Sequence, residues 1–133
     1  QAAVALQMIK KIHLITNARI KNANYLNDKL KLIKQIKIIK EKKKYKSVYH
    51  LYQVYCEKRN QLNNFLRKNK IDSKIHYPKP LHLHHAAKNY KYYKGQFKNA
   101  EKLSKKIISI PVHEFISKKQ LDFIINKIQK FYN

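Results

Sequence analysis

The stretch Val48–Ile71, VYHLYQVYCEKRNQLNNFLRKNKI, contains the pattern that decides the fold. Its first half is rich in aromatic and β-branched residues, and alternation places Tyr52 and Val54 on one face. Because the alternate positions are also largely apolar, the pattern predicts a strand that is covered on both sides. The apolar spacing of the second half predicts a helix over residues 58–69. A strand followed directly by a helix indicates a mixed fold.

Toward the N-terminus, residues 1–31 carry apolar side chains at spacings of three and four, which predict one long amphipathic helix. The helical pattern begins at Gln1, which is not Met, and no capping residue precedes it, so we expect that the chain was cut from a longer protein. Residues 32–39 fit either a short strand or a continuation of the helix. The charge run at 40–46, KEKKKYK, predicts an exposed loop.

Toward the C-terminus, IDSKIH at 71–76 predicts a second short strand, which ends at Pro78 because proline cannot donate to a ladder. Gly95 indicates a turn. Four apolar residues at helical spacing then predict a helix: Ala100, Leu103, Ile107 and Ile108. The sequence SIPV around Pro111 suits a short edge strand.

The last segment carries the signature of a capped helix. Ser117 and Gln120 have the spacing of a capping box, and the apolar residues that follow predict the buried face of the helix. Helices and strands thus alternate along the chain. This order predicts an α/β or α+β domain with a small sheet covered by helices.

The size and composition fit one compact domain. The chain has 133 residues, and 44% of them are hydrophobic, which disfavours disorder. No apolar run approaches the length of a membrane span, so we expect no membrane partner. A single cysteine, Cys56, cannot form an internal disulfide and fits a cytoplasmic protein.

The formal net charge of +24 raises the possibility of a nucleic-acid partner. Yet only Arg19, Arg59 and Arg67 of the 31 basic residues are arginine, the side chain best suited to bidentate recognition of guanine and phosphate. The joint excess of Lys, Ile, Asn and Tyr is typical of an adenine- and thymine-rich coding sequence. A lysine-rich nucleic-acid-binding module is therefore the alternative hypothesis. We expect no specific nucleic acid as a partner.

The stretch 74–87, KIHYPKPLHLHHAA, concentrates four of the seven histidines and two of the three prolines. A metal cluster, a chance run and the rim of a substrate pocket are the competing explanations. Zinc sites usually add cysteines or a carboxylate at defined spacing, and neither stands nearby, so no metal is expected. With one glycine in the chain, a glycine-rich phosphate loop is also absent from the sequence. The residues alone give no complete active site.

Several segments in order resemble the C-terminal part of the DegT/DnrJ/StrS sugar aminotransferases, which are pyridoxal-phosphate (PLP) enzymes of fold type I. The helix that opens with QAAVALQMIKKI, the strand and helix of VYHLYQVYCEKRNQLNNFL, the loop IHYPKPLHLHHA and the closing FKNAEKLSKKIISIPVHEFISKKQLDFIINKI all have counterparts in the family. The resemblance covers nearly the whole chain.

The resemblance implies a fold and a division of the chain. Residues 1–31 would be the connecting helix from a large domain, and residues 32–133 the C-terminal small domain with a mainly antiparallel sheet covered by helices. The large domain would supply the lysine that binds PLP, the groups that hold the cofactor phosphate and an Asn-x-Arg segment. The chain would then contain no catalytic residue and no cofactor-binding residue, and it would be inactive alone.

The resemblance also implies the substrate and partners. The complete enzyme would transfer an amino group from a donor such as glutamate to a nucleotide-linked keto sugar, in amino-sugar and cell-surface polysaccharide biosynthesis, and would act as a homodimer. The His-Tyr-Pro loop would lie at the mouth of its active site. We expect His76, Tyr77 and His82 to be the substrate-binding residues, because imidazole and phenol groups can donate to sugar hydroxyls or phosphate oxygens.

One departure concerns Lys70, which stands where the family usually has a glycine after the helix. A lysine in the left-handed conformation that such a position requires costs on the order of 1 kcal/mol. We therefore expect Asn69 to take that conformation instead. Asp72 also replaces a small residue of the family.

Overall fold

The computed structural model describes residues 1–42 and 44–133. Three short strands form an antiparallel sheet in the order β1–β2–β3. In chain order, the α-helices and strands are α1 (Ala2–Ile9), α2 (Ile12–Leu30), β1 (Ile36–Ile38), β2 (Tyr52–Cys56), α3 (Arg59–Lys68), α4 (Lys98–Ser104), β3 (Ile107–Ile110) and α5 (Lys118–Tyr132). Two 3₁₀ segments, Leu81–Leu83 and His85–Tyr90, precede α4. The predicted α+β class, a small antiparallel sheet with helices, is confirmed.

One face of the sheet forms the floor of the hydrophobic core. Ile38 pairs with Val54 across β1 and β2, and Val54 pairs with Ile108 across β2 and β3. Paired residues of antiparallel strands project to the same face, so these three make one apolar row. The helices bury their apolar faces in the same core through Ala23, Leu26 and Leu30 of α2, Leu62 and Leu66 of α3, and Leu121, Ile124, Ile125 and Ile128 of α5.

The last helix agrees closely with its sequence pattern. The Ser117 hydroxyl accepts the backbone N–H of Gln120, and the Gln120 side chain accepts the backbone N–H of Ser117. These two hydrogen bonds satisfy N–H groups that a helix start leaves without intrahelical partners. The capping box is therefore confirmed, together with the predicted buried face of α5.

The end of α3 corrects the expectation for Asn69. Lys70 itself is left-handed, with φ of 61°, whereas Asn69 has φ of −89°. The Ile71 N–H donates to the Leu66 carbonyl at 3.0 Å and the Lys70 N–H to the Arg67 carbonyl at 2.9 Å. This is the Schellman arrangement, which requires the left-handed residue at position 70. Since both hydrogen bonds satisfy carbonyls at the helix end, they offset the strain on the lysine.

The prediction of one continuous helix over residues 1–31 was wrong. Lys10 and Lys11 form a turn, and Lys11 has φ of −105° and ψ of 2° at the start of α2. Apolar spacing does not reveal so short a break, because the periodicity resumes after it. All residues of α1 are exposed, so no packed neighbour holds α1 and α2 on one axis.

The strand predicted from the opening stretch is shorter than its pattern. Pairing begins at Tyr52, because Tyr49 has a positive φ of 48° and a bend follows it. The prediction that both faces of this strand are covered was only partly correct. Tyr52 and Val54 on one face are buried, whereas Gln53 and Tyr55 on the other are half-buried. The core helices thus cover one face, and the other face carries the candidate site.

Two further predictions needed correction. The segment 71–76 is not a strand, since a turn between Ile71 and Ser73 leaves only Lys74 to form a bridge with Ser109. The helix expected through Ile107 and Ile108 ends at Ser104, and both isoleucines belong to β3 instead. Their spacing fits either element, and pairing with β2 decides in favour of the strand. That strand lies at the sheet edge, as predicted, but it ends at Ile110, so Pro111 and Val112 of the predicted segment lie beyond it.

The ambiguous and loop regions are now assigned. Residues 32–39 contain β1, so the strand alternative is correct. Residues 40–42 and 44–46 are exposed without helix or strand, and Lys43 lies outside the described residues. Gly95 lies in a turn with φ of 96°, as predicted. Within the described ranges, none of the helices is long and apolar enough to span a bilayer.

Candidate functional site

The loop after Lys74 forms one wall of a groove of about 880 Å³ that meets the sheet at Ile107 of β3, on the side opposite the core row of Val54 and Ile108. We call it the aromatic groove. Aromatic and aliphatic side chains from the loop, the 3₁₀ segments, the connection after them and α4 line it: Tyr77, Leu81, Tyr90, Tyr92, Phe97 and Leu103. His76 and His82 also reach it. The structure thus brings together all three residues for which the sequence predicted substrate contact.

His76 is fixed to the sheet by a polar cluster. The bridge between Lys74 and Ser109 places the chain so that His76 Nδ1 lies 2.9 Å from Ser109 Oγ. Gln53 Nε2 donates to the His76 backbone carbonyl at 2.9 Å and to Ser109 Oγ at 3.3 Å. Gln53 and Ser109 are register partners of β2 and β3, so the sheet itself sets the spacing of the cluster.

Tyr77 extends from this anchor into the opening of the groove. Its side chain is largely exposed, and its ring meets the His76 ring edge-on with centroids 5.7 Å apart. No hydrogen bond of its hydroxyl is found among the described residues. The phenol is therefore available as a donor or acceptor for a polar group that enters the groove.

His82 is engaged within the protein rather than open to solvent. Its Nε2 lies 3.0 Å from Glu101 Oε1, its side chain is only 7% exposed, and its ring packs on Phe97 with centroids 4.8 Å apart. The same carboxylate oxygen accepts the Gly95 N–H at 2.6 Å. The Gly95 N–H and the His82 hydrogen bond hold the pKa of Glu101 below its usual value. His82 therefore ties the loop to α4 and shapes the groove wall.

A second cavity, of about 770 Å³, lies beside the C-terminal end of β3, and His76 lines it too. Arg19 Nε donates to Glu114 Oε2 at 3.0 Å, and Asn22 Nδ2 donates to the His113 carbonyl at 3.0 Å. The backbone N–H of Glu114 and the Arg19 guanidinium keep the pKa of the Glu114 carboxyl below its usual value. These contacts anchor α2 to the segment before α5.

The remaining histidines of the loop do not converge on a metal. His84 Nε2 lies 3.0 Å from the Lys79 carbonyl, and His85 is exposed. Across residues 1–42 and 44–133, no group of three or more His, Cys, Asp and Glu side chains has the geometry to hold a metal ion.

The described residues do not fit PLP. Covalent attachment needs a lysine in a desolvated pocket, but every described lysine is exposed except the half-buried Lys127, whose Nζ lies 5.2 Å from the Phe123 ring centroid. The one glycine, Gly95, directs its N–H to Glu101 rather than to an open cradle. No step of the cofactor's chemistry can be assigned to these residues.

Sequence reasoning missed the residues that hold the site in place. Gln53 and Ser109 are polar positions inside otherwise apolar strands, and Glu101 lies in the short helix before β3. A buried polar residue in a strand is uncommon and usually has a hydrogen-bonding partner, so Ser109 carried a usable signal. The partner could not be inferred, because His76 lies 33 residues away in sequence.

A family profile and a solved structure both identify one family. The profile of the DegT/DnrJ/EryC1/StrS aminotransferase family matches residues 1–129. A crystal structure of a DegT DnrJ EryC1 StrS aminotransferase from Brucella abortus superposes with a TM-score of 0.91 at 32% identity, covering 100% of this chain and 35% of that one.

Two curated relatives match shorter parts. The pleiotropic regulatory protein of Geobacillus stearothermophilus is 34% identical over 85 residues, which are 64% of this chain and 23% of the relative. The dTDP-3-amino-3,4,6-trideoxy-alpha-D-glucose transaminase of Streptomyces venezuelae is 29% identical over 84 residues, 63% of this chain and 22% of the relative. The matches thus span about a quarter to a third of the relatives' lengths. The chain belongs to the DegT/DnrJ/EryC1/StrS aminotransferase family.

Proposed function

We propose that this chain is the C-terminal portion of a PLP-dependent aminotransferase that acts on nucleotide-linked keto sugars. The amino group would come from a donor such as glutamate, and the product would serve amino-sugar and cell-surface polysaccharide biosynthesis. The observation that carries the proposal is the superposition of the whole chain on about a third of a family aminotransferase. The transaminase among the curated relatives acts on a dTDP-sugar by its name, which supports the nucleotide-linked substrate.

The proposal divides the chain at residue 31. Residues 1–31 connect to a large domain, and residues 32–133 form the small domain. The lysine that binds PLP belongs to the large domain, so the chain alone is inactive. Every described lysine except the half-buried Lys127 is exposed, which supports this division between domains, because a lysine that binds PLP covalently needs a desolvated pocket.

Within the small domain, the aromatic groove is the proposed contact surface for the sugar nucleotide. His76 and Tyr77 would donate hydrogen bonds to its oxygens, and Pro78 and Pro80 would restrict the loop backbone. His82 would contribute the wall beside α4, since its Nε2 is already engaged with Glu101. The complete enzyme would be a cytoplasmic homodimer.

The function is tested by joining the chain to the segment encoded in frame upstream of Gln1. We expect that segment to contain a PLP-binding lysine and an Asn-x-Arg element. The longer protein should consume glutamate in one half-reaction and aminate a nucleotide-linked keto sugar in the other. An upstream segment without such a lysine, or a protein that aminates no nucleotide-linked sugar, would contradict the proposal.

The groove is tested in the same protein by His76→Asn, with His85→Asn as the control from an exposed position of the same loop. Loss of one hydrogen bond to the sugar nucleotide should reduce kcat/KM for that substrate roughly tenfold. The glutamate half-reaction should stay unchanged. Equal losses in both half-reactions would show that His76 supports the fold rather than the substrate.

We expect no sequence-specific nucleic-acid partner. A chain with a charge of +24 will bind polyanions, and this binding should weaken steeply with salt. The comparison is with a scrambled chain of equal charge. Affinity for one nucleic-acid sequence well above that of the scrambled chain would favour the alternative of a lysine-rich binding module.

A further inference from the structure

We propose that Gln53 and Ser109 are positioning residues that hold the His76 imidazole in a single tautomer, with its proton on Nε2 and directed to solvent beside the aromatic groove. The inference rests on the proposed function in one respect: the acceptor for this N–H would be an oxygen of the nucleotide-linked sugar. The state of the imidazole itself follows from hydrogen bonds within the chain.

The hydrogen-bond partners of Gln53 determine the orientation of its side-chain amide. An amide nitrogen and oxygen are hard to distinguish by shape, but the partner decides between them. The Gln53 atom at 2.9 Å from the His76 backbone carbonyl must be the nitrogen, because a carbonyl oxygen can only accept. That same nitrogen lies 3.3 Å from Ser109 Oγ. The serine oxygen therefore accepts a hydrogen bond from Gln53.

The neighbours of the Ser109 hydroxyl determine where its proton points. Ser109 is 6% exposed, and its backbone N–H and carbonyl are both paired with Lys74. Its hydroxyl has two neighbours, the Gln53 nitrogen that donates to it and His76 Nδ1 at 2.9 Å. If Nδ1 carried the proton, Oγ would accept twice and its own O–H would have no acceptor in the described chain. Donation from Ser109 O–H to Nδ1 satisfies every group.

The second ring nitrogen of His76, Nε2, carries the proton and is exposed. A neutral imidazole with an acceptor at Nδ1 carries its proton on Nε2. No hydrogen bond of His76 Nε2 is found among the described residues, and no buried side-chain nitrogen or oxygen of this part of the chain lacks a partner. Nε2 is therefore accessible to solvent, in a residue that lines both cavities. The cluster presents a donor whose direction the sheet register fixes.

A fixed donor has a functional consequence. A histidine free to exchange tautomers would present an acceptor for part of the time, and an incoming oxygen would then meet a lone pair. Ser109 and Gln53 remove that state before the substrate arrives. Preorganised donors bind more tightly than mobile ones, because the ordering has already taken place in the free protein.

The test is long-range ¹H–¹⁵N correlation spectroscopy on the chain with ¹⁵N-labelled histidine, about two pH units above the ordinary histidine pKa. We expect His76 to show a protonated Nε2 and a hydrogen-bonded, unprotonated Nδ1. Ser109→Ala should shift the Nδ1 resonance and introduce the second tautomer, and Ser109→Thr should restore the original spectrum because it keeps the hydroxyl. Ser104→Ala is the matched control, since Ser104 lines the groove without contacting His76.

Gln53→Met provides a second variant that leaves Ser109 intact. Without the amide donor, the Ser109 hydroxyl proton can turn to the side that the Gln53 nitrogen occupied, which leaves Oγ to accept from Nδ1, so the Nδ1-protonated tautomer should increase. A native His76 with its proton on Nδ1, or a spectrum that Ser109→Ala leaves unchanged, would overturn the inference. Because the experiment uses neither cofactor nor sugar, its failure would leave the proposed aminotransferase function untouched, and failure of that function would leave the tautomer result standing.

Discussion

At the scale of single residues, the chain combines strained and unusually stabilised positions. Lys70 adopts a left-handed backbone that glycine tolerates better, and Glu101 is an acceptor for both Gly95 and His82. Each position should have a measurable effect on stability, because about 1 kcal/mol is a sizeable share of the net free energy of unfolding of a small domain.

Lys70→Gly should raise the free energy of unfolding by about 1 kcal/mol. Glycine removes the clash of Cβ in the left-handed region, and the two hydrogen bonds that close α3 use backbone atoms that glycine retains. Urea denaturation measures the change. Lys68→Gly is the control within α3, where glycine should instead lower stability by about 1 kcal/mol. A loss of stability in Lys70→Gly would contradict the assigned helix end.

Glu101 should make stability depend on pH in the acid range. Its pKa in the folded chain lies below the unfolded value, mainly because the Gly95 N–H donates to the carboxylate. The contribution is therefore complete above the ordinary glutamate pKa and is lost as the pH falls through the lower, folded value. Glu101→Gln should show a smaller loss of urea stability between neutral and acid pH than the exposed control Glu57→Gln. Equal losses would argue against the contact.

At the scale of elements, the two ends of the chain differ in how they are held. Helix α5 has a capping box and four buried apolar side chains. Helix α1 has eight residues, none of them buried, and no capping hydrogen bond from a side chain. Since isolated helices of this length are marginal in water, tertiary packing separates a stable helix from an unstable one here.

Ser117→Ala should lower the free energy of unfolding by about 1 kcal/mol, because it removes the acceptor for the Gln120 N–H at the start of α5. Ser117→Asp should retain most of the stability, since a carboxylate also caps and favours the positive end of the helix dipole. Thermal denaturation of the three proteins measures the difference. Equal melting temperatures for Ser117→Ala and the unmodified chain would refute the cap.

The rates of amide hydrogen exchange should differ between α1 and α2. Amides of α1 should exchange nearly as fast as those of an unfolded peptide, whereas amides between Ala23 and Leu30 of α2 should be protected, because those side chains lie in the core. Amides of α5 serve as the protected reference. Strong protection of α1 would mean that its exposed apolar residues, such as Val4 at 68% exposure, have found a partner in solution.

The elements that sequence reasoning predicted well depend on local chemistry. The capping box and the face of α5 involve residues a few positions apart, and so does helix α3. The start of β3 at Ile107 and the reduction of 71–76 to one bridge depend on partners in β2 and β3, which periodicity does not encode. The loop stood out by its composition, and the family resemblance pointed to His76, Tyr77 and His82, whereas Gln53 and Ser109 act through pairing across the sheet.

At the scale of the whole molecule, the chain combines a candidate binding surface with lysines that are unsuited to binding PLP. The sheet has one face in the core, and an aromatic groove that we propose as the substrate contact surface lies on its other side. The described lysines are exposed, apart from the half-buried Lys127. None of them is buried in the desolvated pocket that covalent binding of PLP requires. We propose on this basis that binding surface and covalent chemistry reside in different domains of the complete enzyme.

The most direct test of that claim is to add PLP to the purified chain, reduce the adducts with borohydride and map the modified lysines. We predict weak labelling spread over many exposed lysines, with no saturation at one equivalent. Saturable labelling of one lysine, abolished when that lysine is replaced, would contradict it.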